Sequence, residues 1–222
     1  MLEETILEEY LNGDNQTDSF LATHNLVFNT YNVSYLMTKL SEFSKLENIE
    51  EFGAVAFNIR NLSFINEEFG RNLATEMLAD FIAGLQKLLT EEKEILAHFG
   101  GDNFIALVST RNMDSFLNYL AGTKIKSESG ATVLFSAWVG VYVPKDLKKE
   151  FLYLVDSAMF ALNTAKKERR EIPLFFNEEK KKQLEESKWV RSQFDEAIKK
   201  EEFQVYYQPK VCLKNYTLSG AE

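Results

Sequence analysis

The stretch HFGGDNFIALV, residues 98–108, decides how the rest of the chain is interpreted. Two glycines separate an apolar run that ends at Phe99 from a second run that begins at Phe104. Because glycine adopts positive φ without a Cβ clash, the pair predicts a type I′ or II′ hairpin turn between two strands. The turn also presents the carboxylate of Asp102, and a carboxylate at a strand end is a common ligand for a hard divalent cation.

On both sides of the hairpin, the apolar pattern predicts alternating strands and helices. FGAVAFNI, residues 52–59, is a continuous apolar run of buried-strand length, and an irregular polar elbow is expected over 60–70. These elements indicate an α/β domain over 17–176, with a mixed sheet covered by helices. The other predicted strands are 94–99, 103–109, 131–143 and 172–176, and the predicted helices are 1–12, 28–46, 72–89, 113–120 and 147–167.

Beyond this domain a charged helix is predicted over 178–200, within a connector that we assign to 177–201. Residues 202–213 then resemble a new strand, with nothing after it to form a hairpin or a sheet. We therefore expect 202–222 to begin a second domain and the chain to be a segment of a longer protein. Residues 1–16 are assigned to an N-terminal helix and linker. A polar turn region over 12–19 overlaps the boundary between this linker and the domain.

Composition excludes several classes of protein. The chain carries 34 acidic and 25 basic residues, and since phosphate binding needs clustered lysine and arginine, no nucleic-acid partner is expected. The single cysteine, Cys212, leaves no internal disulfide and no Cys-rich zinc site, and it fits a reducing, cytoplasmic compartment. His24 and His98 are expected to be hydrogen-bonded structural groups. The apolar runs are too short for a membrane segment.

Several segments together resemble the GGDEF family of diguanylate cyclases, which condense two GTP into cyclic di-GMP. In the same order and spacing they cover nearly all of 18–176, and they imply a mostly antiparallel central sheet of about five strands flanked by helices, with a C-terminal connector helix. The matching segments are DSFLATHN (18–25), FNIRNLSFINEEFGRNLATEML (57–78), HFGGDNF (98–104), VLFSAWVGVYV (133–143) and DSAMFALNTAKKERR (156–170).

The resemblance implies a site for metal ions, in which two positions are altered. In the family the metals are held by a strand-end Asp, the carbonyl beside it and the third signature residue; here these are Asn58, Ile59 and Asp102. The fourth signature residue, an essential Glu in the family, is Asn103. If each lost carboxylate costs about a hundredfold in rate, the two together cost roughly ten-thousandfold. We therefore expect no intact catalytic set, and weak or absent metal binding.

The nucleotide contacts implied by the resemblance are partly retained. Guanine is read in the family by an Asn, here Asn66, and by an Asp nine residues later, here Thr75. Ser63 replaces a lysine, and His98 an arginine. The remaining implied nucleotide contacts are Gly100, Gly101, Lys166 and Arg170, with Mg²⁺ and GTP the expected cofactor and ligand if nucleotide binds.

Two of these assignments have a plain structural alternative. Asn66 could cap the helix that follows it, because asparagine suits that position. Lys166 and Arg170 could simply occupy the C-terminal turn of their helix, where cations are favoured. The family's product-inhibition motif R-x-x-D would fall near 91–94, where the sequence EEKE lacks the arginine, so feedback binding of cyclic di-GMP is not expected there.

The tail FQVYYQPKVCLKNYTLSGAE, 203–222, resembles the start of an EAL domain, a cyclic di-GMP phosphodiesterase, with Gln208 and Glu222 at the places of its first strand and signature glutamate.

Three functional hypotheses stay open. The preferred one is a catalytically degenerate regulatory domain, GTP-sensing or dimerising, whose partners are GTP, its own EAL domain and a second copy of the chain. The others are a residual diguanylate cyclase and an interaction scaffold with no nucleotide site.

Overall fold

The computed structural model of the chain describes residues 20–43, 51–144 and 152–222. The predicted helix over 1–12 and the polar turn region over 12–19 lie outside the described residues. The chain divides into two compact units, Met1–Phe176 and Asn177–Glu222.

The first unit combines short and long strands with amphipathic helices. Its strands are β1 (His24–Asn25), β2 (Thr30–Tyr31), β3 (Phe52–Ile59), β4 (Ile95–Gly100), β5 (Asn103–Ser109), β6 (Thr123–Lys126), β7 (Thr132–Phe135), β8 (Ala137–Tyr142) and β9 (Leu174–Phe175). Its helices are α1 (Val33–Phe43), α2 (Leu62–Phe69), α3 (Arg71–Gln86), α4 (Thr110–Ala121) and α5 (Leu152–Glu168).

Seven of these strands form one sheet in the order β1-β2-β4-β5-β3-β8-β9, while β6 and β7 pair separately. Within the described sheet, β2 with β4 and β8 with β9 are parallel, and the other pairs are antiparallel. The predicted mixed, mostly antiparallel sheet is confirmed. It has seven strands instead of about five because β1 and β2 have two residues each, too few to leave an alternating pattern.

Strand β3 lies inside the sheet, between β5 and β8, and is buried along its whole length, which explains its continuous apolar sequence. Its side chains alternate between two cores, one shared with α3 and α4 and the other with α1 and α5. Asn58 is its one polar side chain, and it is only 3% exposed. The strand therefore places a buried amide near its C-terminal end.

Two predicted elements need correction. The elbow over 60–70 is not irregular, because Leu62, Ile65 and Phe69 have helical spacing and form α2. Gly70, with φ of 81°, then separates α2 from α3. Helix α1 begins at Val33 instead of residue 28, since the N–H of Tyr35 donates to Oδ1 of Asn32 at 2.9 Å and so fixes the start of the helix.

The long strand predicted over 131–143 is also wrong, because it is two strands. β7 pairs with β6, a strand that the sequence reasoning missed, whereas β8 pairs with β3 in the main sheet. The chain changes partner at Ser136, whose carbonyl accepts from the N–H of Arg60 at 2.9 Å. The other predicted strands and helices of this unit are present, with ends shifted by a few residues where the structure describes them. Residues 44–46 and 147–151, at one end each of the helices predicted over 28–46 and 147–167, lie outside the described residues.

The second unit consists of α6 (Glu178–Lys199) and a short hairpin of β10 (Pro209–Val211) and β11 (Leu218–Ala221). Asn177 caps α6, since its Oδ1 accepts from the N–H of Lys180 at 3.0 Å. The expectation that residues 202–213 find no pairing partner was wrong: β11 follows and pairs antiparallel with β10. Gln208 and Glu222 stand opposite each other, joined by two backbone hydrogen bonds of 2.8 and 3.0 Å.

Candidate functional site

A cleft of about 840 Å³ opens at the end of β3, beside the hairpin that joins β4 and β5. Six of the predicted site residues line it, namely Asn58, Ile59, Asn66, Thr75, Gly101 and Asp102. The other lining residues are Val27, Phe28, Asn61, Leu62, Ser63, Arg71, Leu78 and Trp138. The fold therefore brings the strand end, the glycine turn and helices α2 and α3 around one space.

The glycine turn is the predicted hairpin, with a loop made of Gly101 and Asp102 between the paired residues Gly100 and Asn103. Both glycines have positive φ, 110° and 59°, whereas Asp102 does not. A type I′ turn would need positive φ at both loop residues, so of the two predicted types I′ is excluded. The two glycines thus serve the turn, and they set Asp102 at the cleft.

His98 supports the turn as a hydrogen-bonded structural group. Its Nε2 lies 2.9 Å from the carbonyl oxygen of Gly101, and its Nδ1 lies 3.1 Å from Nδ2 of Asn25. Because a carbonyl can only accept and an amide NH₂ can only donate, the ring carries its proton on Nε2. In the family that the sequence resembles, position 98 holds an arginine. Here it holds a histidine whose two ring nitrogens are both engaged in hydrogen bonds that support the hairpin.

The two amides at the strand end bond to each other. Nδ2 of Asn58 donates to Oδ1 of Asn103 at 3.0 Å. Nδ2 of Asn103 in turn donates to the carbonyl of Gly100 at 3.2 Å and to Oδ1 of Asp102 at 3.3 Å. We call Asn58, Asn103 and Asp102 the amide cluster. Two carboxylates in the places of the two amides would repel each other without a cation, whereas the amides satisfy each other.

The amide cluster does not fit a pair of Mg²⁺ ions. Mg²⁺ in proteins is bound through carboxylates, in near-octahedral oxygen geometry. Among the described residues, no group of three or more His, Cys, Asp or Glu side chains could hold a metal ion. Of the described residues that line the cleft, Asp102 is the one carboxylate, and one of its oxygens already accepts from Asn103. The N–H of Ile59 donates to the carbonyl of Asp102 at 3.1 Å, which ties the predicted metal ligands together by direct bonds.

The two predicted guanine contacts, Asn66 and Thr75, both face the cleft. Asn66 lies inside α2, and its carbonyl accepts from the N–H of Gly70 at 3.0 Å. The alternative that Asn66 caps the following helix is wrong, because Gly70 is the N-cap of α3 and no side chain bonds to that end. Its side-chain amide has no hydrogen-bond partner among the described residues, so its amide is available to a bound molecule.

Lys166 and Arg170 do not line the cleft, and neither does Gly100. Lys166 lies in the last turn of α5, where a cation suits the helix dipole. Nε of Arg170 lies 2.7 Å from Oε2 of Glu168, in an ion pair at the surface. For these two cations the geometry agrees with the structural alternative.

Among the lining residues that the sequence analysis did not assign to the site, Trp138 and Arg71 have side chains suited to bind a ligand. Trp138 lies in the strand predicted over 131–143. It lines the cleft, and the guanidinium of Arg60 lies over its ring, 4.0 Å from the ring centre. Nη2 of Arg60 donates to the carbonyls of Arg170 and Glu171, each at 3.0 Å, and burial lowers the pKa of this guanidinium. Arg71, the first residue of α3, also lines the cleft. A cation at a helix start, where anions are favoured, was the signal in the sequence.

The segment 91–94, where the family resemblance would place a product-inhibition motif, has a structural role. Oε1 of Glu94 accepts from the N–H of Ser109 at 2.8 Å, and its Oε2 accepts from the N–H of Glu91 at 2.9 Å and from Nδ2 of Asn112 at 2.8 Å. Glu94 is 8% exposed, so a buried carboxylate joins the start of β4 to the start of α4. The carboxylate of Glu94 therefore forms structural hydrogen bonds with residues of its own chain.

Comparisons of this chain with known proteins agree with the fold described above. The family model described as "Diguanylate cyclase, GGDEF domain" matches residues 28–171. The GGDEF domain of TpbB, also named YfiN, from Pseudomonas aeruginosa superimposes with a TM-score of 0.63 at 21% identity, over 73% of this chain and 99% of that one. The coiled coil and GGDEF domain of DgcB from Caulobacter crescentus gives 0.61 at 13% identity, over 78% and 95%. These solved structures confirm the fold class.

Two curated relatives match at lower coverage of their own length. One is the cyclic di-GMP phosphodiesterase PdeR of Escherichia coli K12, 23% identical over 164 residues, and the other is the signaling protein YkoW of Bacillus subtilis 168, 23% identical over 204 residues. The matches cover 72% and 86% of this chain, which spans about a quarter of the length of each relative. Among the described residues, no helix is long and apolar enough to cross a bilayer.

Proposed function

The chain belongs to the GGDEF family, and we propose from this that it is a catalytically degenerate regulatory domain that binds GTP without converting it to cyclic di-GMP. The observation that carries the proposal is the 3.0 Å hydrogen bond between Asn58 and Asn103. These side chains stand at the two positions where the family resemblance implies carboxylates that hold or support metal ions. A bond between neutral amides stabilises the cleft in a form that needs no cation.

Phosphoryl transfer explains why this change matters so much. Catalysis of that reaction rests on positioning and on the neutralisation of developing negative charge. Losing one preorganised electrostatic contact typically costs a hundredfold or more in rate, so the two substitutions together cost on the order of ten-thousandfold. Such effects are rarely additive, which makes the figure a scale for the loss.

The proposal that the domain still binds a guanine nucleotide is supported by Asn66 and Thr75, which line the cleft. The free amide of Asn66 can both donate to and accept from a guanine edge. Thr75 offers a hydroxyl, a weaker acceptor for the guanine N–H groups than the carboxylate implied by the resemblance. A volume of about 840 Å³ is in the range of small-molecule sites in proteins.

We further propose that the domain acts within a longer GGDEF–EAL protein, in which it regulates a phosphodiesterase domain. Support comes from the YYQP segment, 206–209, and its resemblance to the first strand of an EAL domain. Connector helix α6 would join the two domains. A homodimer is a second partner that we propose for the same regulatory role.

Titration calorimetry with GTP tests the binding part of the proposal. The wild-type chain should release or absorb heat on GTP addition, and Asn66→Ala should weaken the affinity about tenfold, because one or two guanine hydrogen bonds are lost. Asn118→Ala is the matched control, an exposed asparagine on α4 that does not line the cleft. Equal weakening in both variants would contradict the assigned role of Asn66.

The two other hypotheses predict different results in the same titration. A scaffold without a nucleotide site gives no heat at saturating GTP. A residual cyclase consumes GTP and forms cyclic di-GMP during the experiment. Binding without product supports the regulatory domain.

A further inference from the structure

We propose that the cleft holds the phosphates of its guanine nucleotide without a divalent cation, and that the guanidinium of Arg71 takes over the charge neutralisation. This inference rests on the proposed function, and it names the ligand form, a metal-free nucleotide, and one further binding residue. It arises from a disagreement between the family resemblance, which implies metal ions, and the residues that the structure places in the cleft.

The first argument is the bonding within the amide cluster. Oδ1 of Asn103 is occupied by Asn58 at 3.0 Å, and its Nδ2 is shared between Gly100 and Asp102 at 3.2 and 3.3 Å. A divalent ion would have to break these bonds and would gain one carboxylate, Asp102. An amide oxygen brings no charge to a hard cation, so the exchange is unfavourable.

The second argument is the charge of the cleft. Among its lining residues Arg71 and Asp102 carry formal charges, and the others are neutral. Among the described residues that line the cleft, Arg71 is therefore the one cation that a nucleotide phosphate can meet. A guanidinium binds phosphate oxygens through two parallel N–H···O bonds, which a point charge cannot do.

The third argument is that the fold gives Arg71 no other task. Its side chain is exposed, and no ion pair or side-chain hydrogen bond joins it to another residue in the described parts of the chain. It occupies the first position of α3, where the helix dipole favours anions and disfavours a cation. A positive side chain placed against the dipole and beside an open cleft is suited to an anionic ligand.

The nucleotide titration tests this when it is repeated in excess EDTA and in excess MgCl₂. We expect GTP affinities that agree within about threefold, since no ion bridges the nucleotide to the protein. Arg71→Gln should weaken GTP binding in EDTA by at least about tenfold, as expected for a charged hydrogen bond. Arg111→Gln is the matched control, an arginine 80% exposed on α4 whose charge lies outside the cleft.

A second measurement follows the metal alone. Mn²⁺ should leave the thermal midpoint of the wild-type chain unchanged, whereas it should raise that of Asn58→Asp/Asn103→Glu by on the order of 4 °C or more, because three carboxylates then face one another. If the double variant does not fold, the wild-type comparison still decides. GTP binding that requires Mg²⁺, or that is unaffected by Arg71→Gln, would overturn the inference and leave the proposed function standing. No GTP binding in either buffer would overturn both.

Discussion

At the residue scale, the chemistry of the cleft depends on the amides Asn58 and Asn103. Buried carboxylates in such a place need a cation or a proton, whereas two amides can donate to and accept from each other. Asn58 is almost fully buried, so whatever occupies position 58 must be satisfied by its neighbours. In this chain the neighbour is Asn103, and the pair replaces charge by hydrogen bonding.

A single carboxylate at position 58 should therefore destabilise the fold. Asn58→Asp places a buried negative charge beside Asp102 and removes the donor to Oδ1 of Asn103. We expect a loss of about 1–3 kcal/mol in the free energy of unfolding, measured by urea denaturation in EDTA. Asn118→Asp makes the same change on the exposed face of α4 and should lie within about 0.5 kcal/mol of wild type. Equal stability of the two variants would contradict the bonding described for the amide cluster.

Sequence patterns predicted much of the site and missed one cation. Asn58, Asp102, Asn66 and Thr75 were placed together because the resemblance covers both the strand end and the hairpin, and the structure brings all four to one cleft. Arg71 was missed because it lines the cleft only as a result of the turn at Gly70, which places the start of α3 beside the cleft. The signal in the sequence, a cation at a helix start, does not by itself show that this helix start faces the cleft.

At the element scale, the division of residues 131–143 into β7 and β8 shows what periodicity cannot detect. Both halves are rich in β-branched and aromatic residues, so propensity predicts one strand. The split at Ser136 depends on which partner each half finds, β6 or β3. Helix α2 was likewise hidden, because two turns give too few residues for a clear period.

The contact between β8 and α5 gives a prediction at this scale. A Cβ at Gly140 would meet backbone atoms of Ala158, Ala161 and Leu162, the carbonyl carbon of Ala161 at 2.7 Å. Backbone cannot move aside as a side chain can, so Gly140→Ala should destabilise by at least about 3 kcal/mol or prevent folding. Gly122→Ala is the control, since its Cβ would meet only Cδ1 of Leu134, at 3.5 Å. A mild effect at Gly140, judged by the thermal midpoint, would argue against this close packing.

Strand β1 gives a prediction about pH. The ring of His24 stacks on Phe20 with centroids 4.1 Å apart, and burial lowers its pKa below the ordinary value of 6.5, although a backbone hydrogen bond to Phe20 acts in the opposite sense. The unfolded chain therefore binds a proton at this histidine at a higher pH than the folded chain does. Stability contributed by neutral His24 is present above 6.5 and declines as the pH falls below it.

The check is the pH dependence of the unfolding free energy in wild type and His24→Gln. The variant should lose less stability on acidification, because it no longer carries that proton linkage. Parallel curves for the two proteins would show that His24 takes up its proton equally well in both states.

At the scale of the whole molecule, the chain combines a unit with the GGDEF fold, matched over residues 28–171, with a second unit whose apolar side chains are largely exposed. Tyr206, Tyr207, Leu213 and Tyr216 are each more than 70% exposed. The chain spans about a quarter of the length of the curated relatives it matches. These features fit the proposal that the domain regulates an attached enzyme, with the cleft of the first unit as the place where a nucleotide signal enters.

The most direct test of this account is product formation from GTP. The wild-type chain, incubated with GTP and excess MgCl₂ beside an active GGDEF cyclase, should form cyclic di-GMP at a rate lower by roughly ten-thousandfold, as chromatography of the nucleotides would show. Cyclic di-GMP formed at a rate comparable to that of the active enzyme would contradict the claim that amides at Asn58 and Asn103 have abolished catalysis.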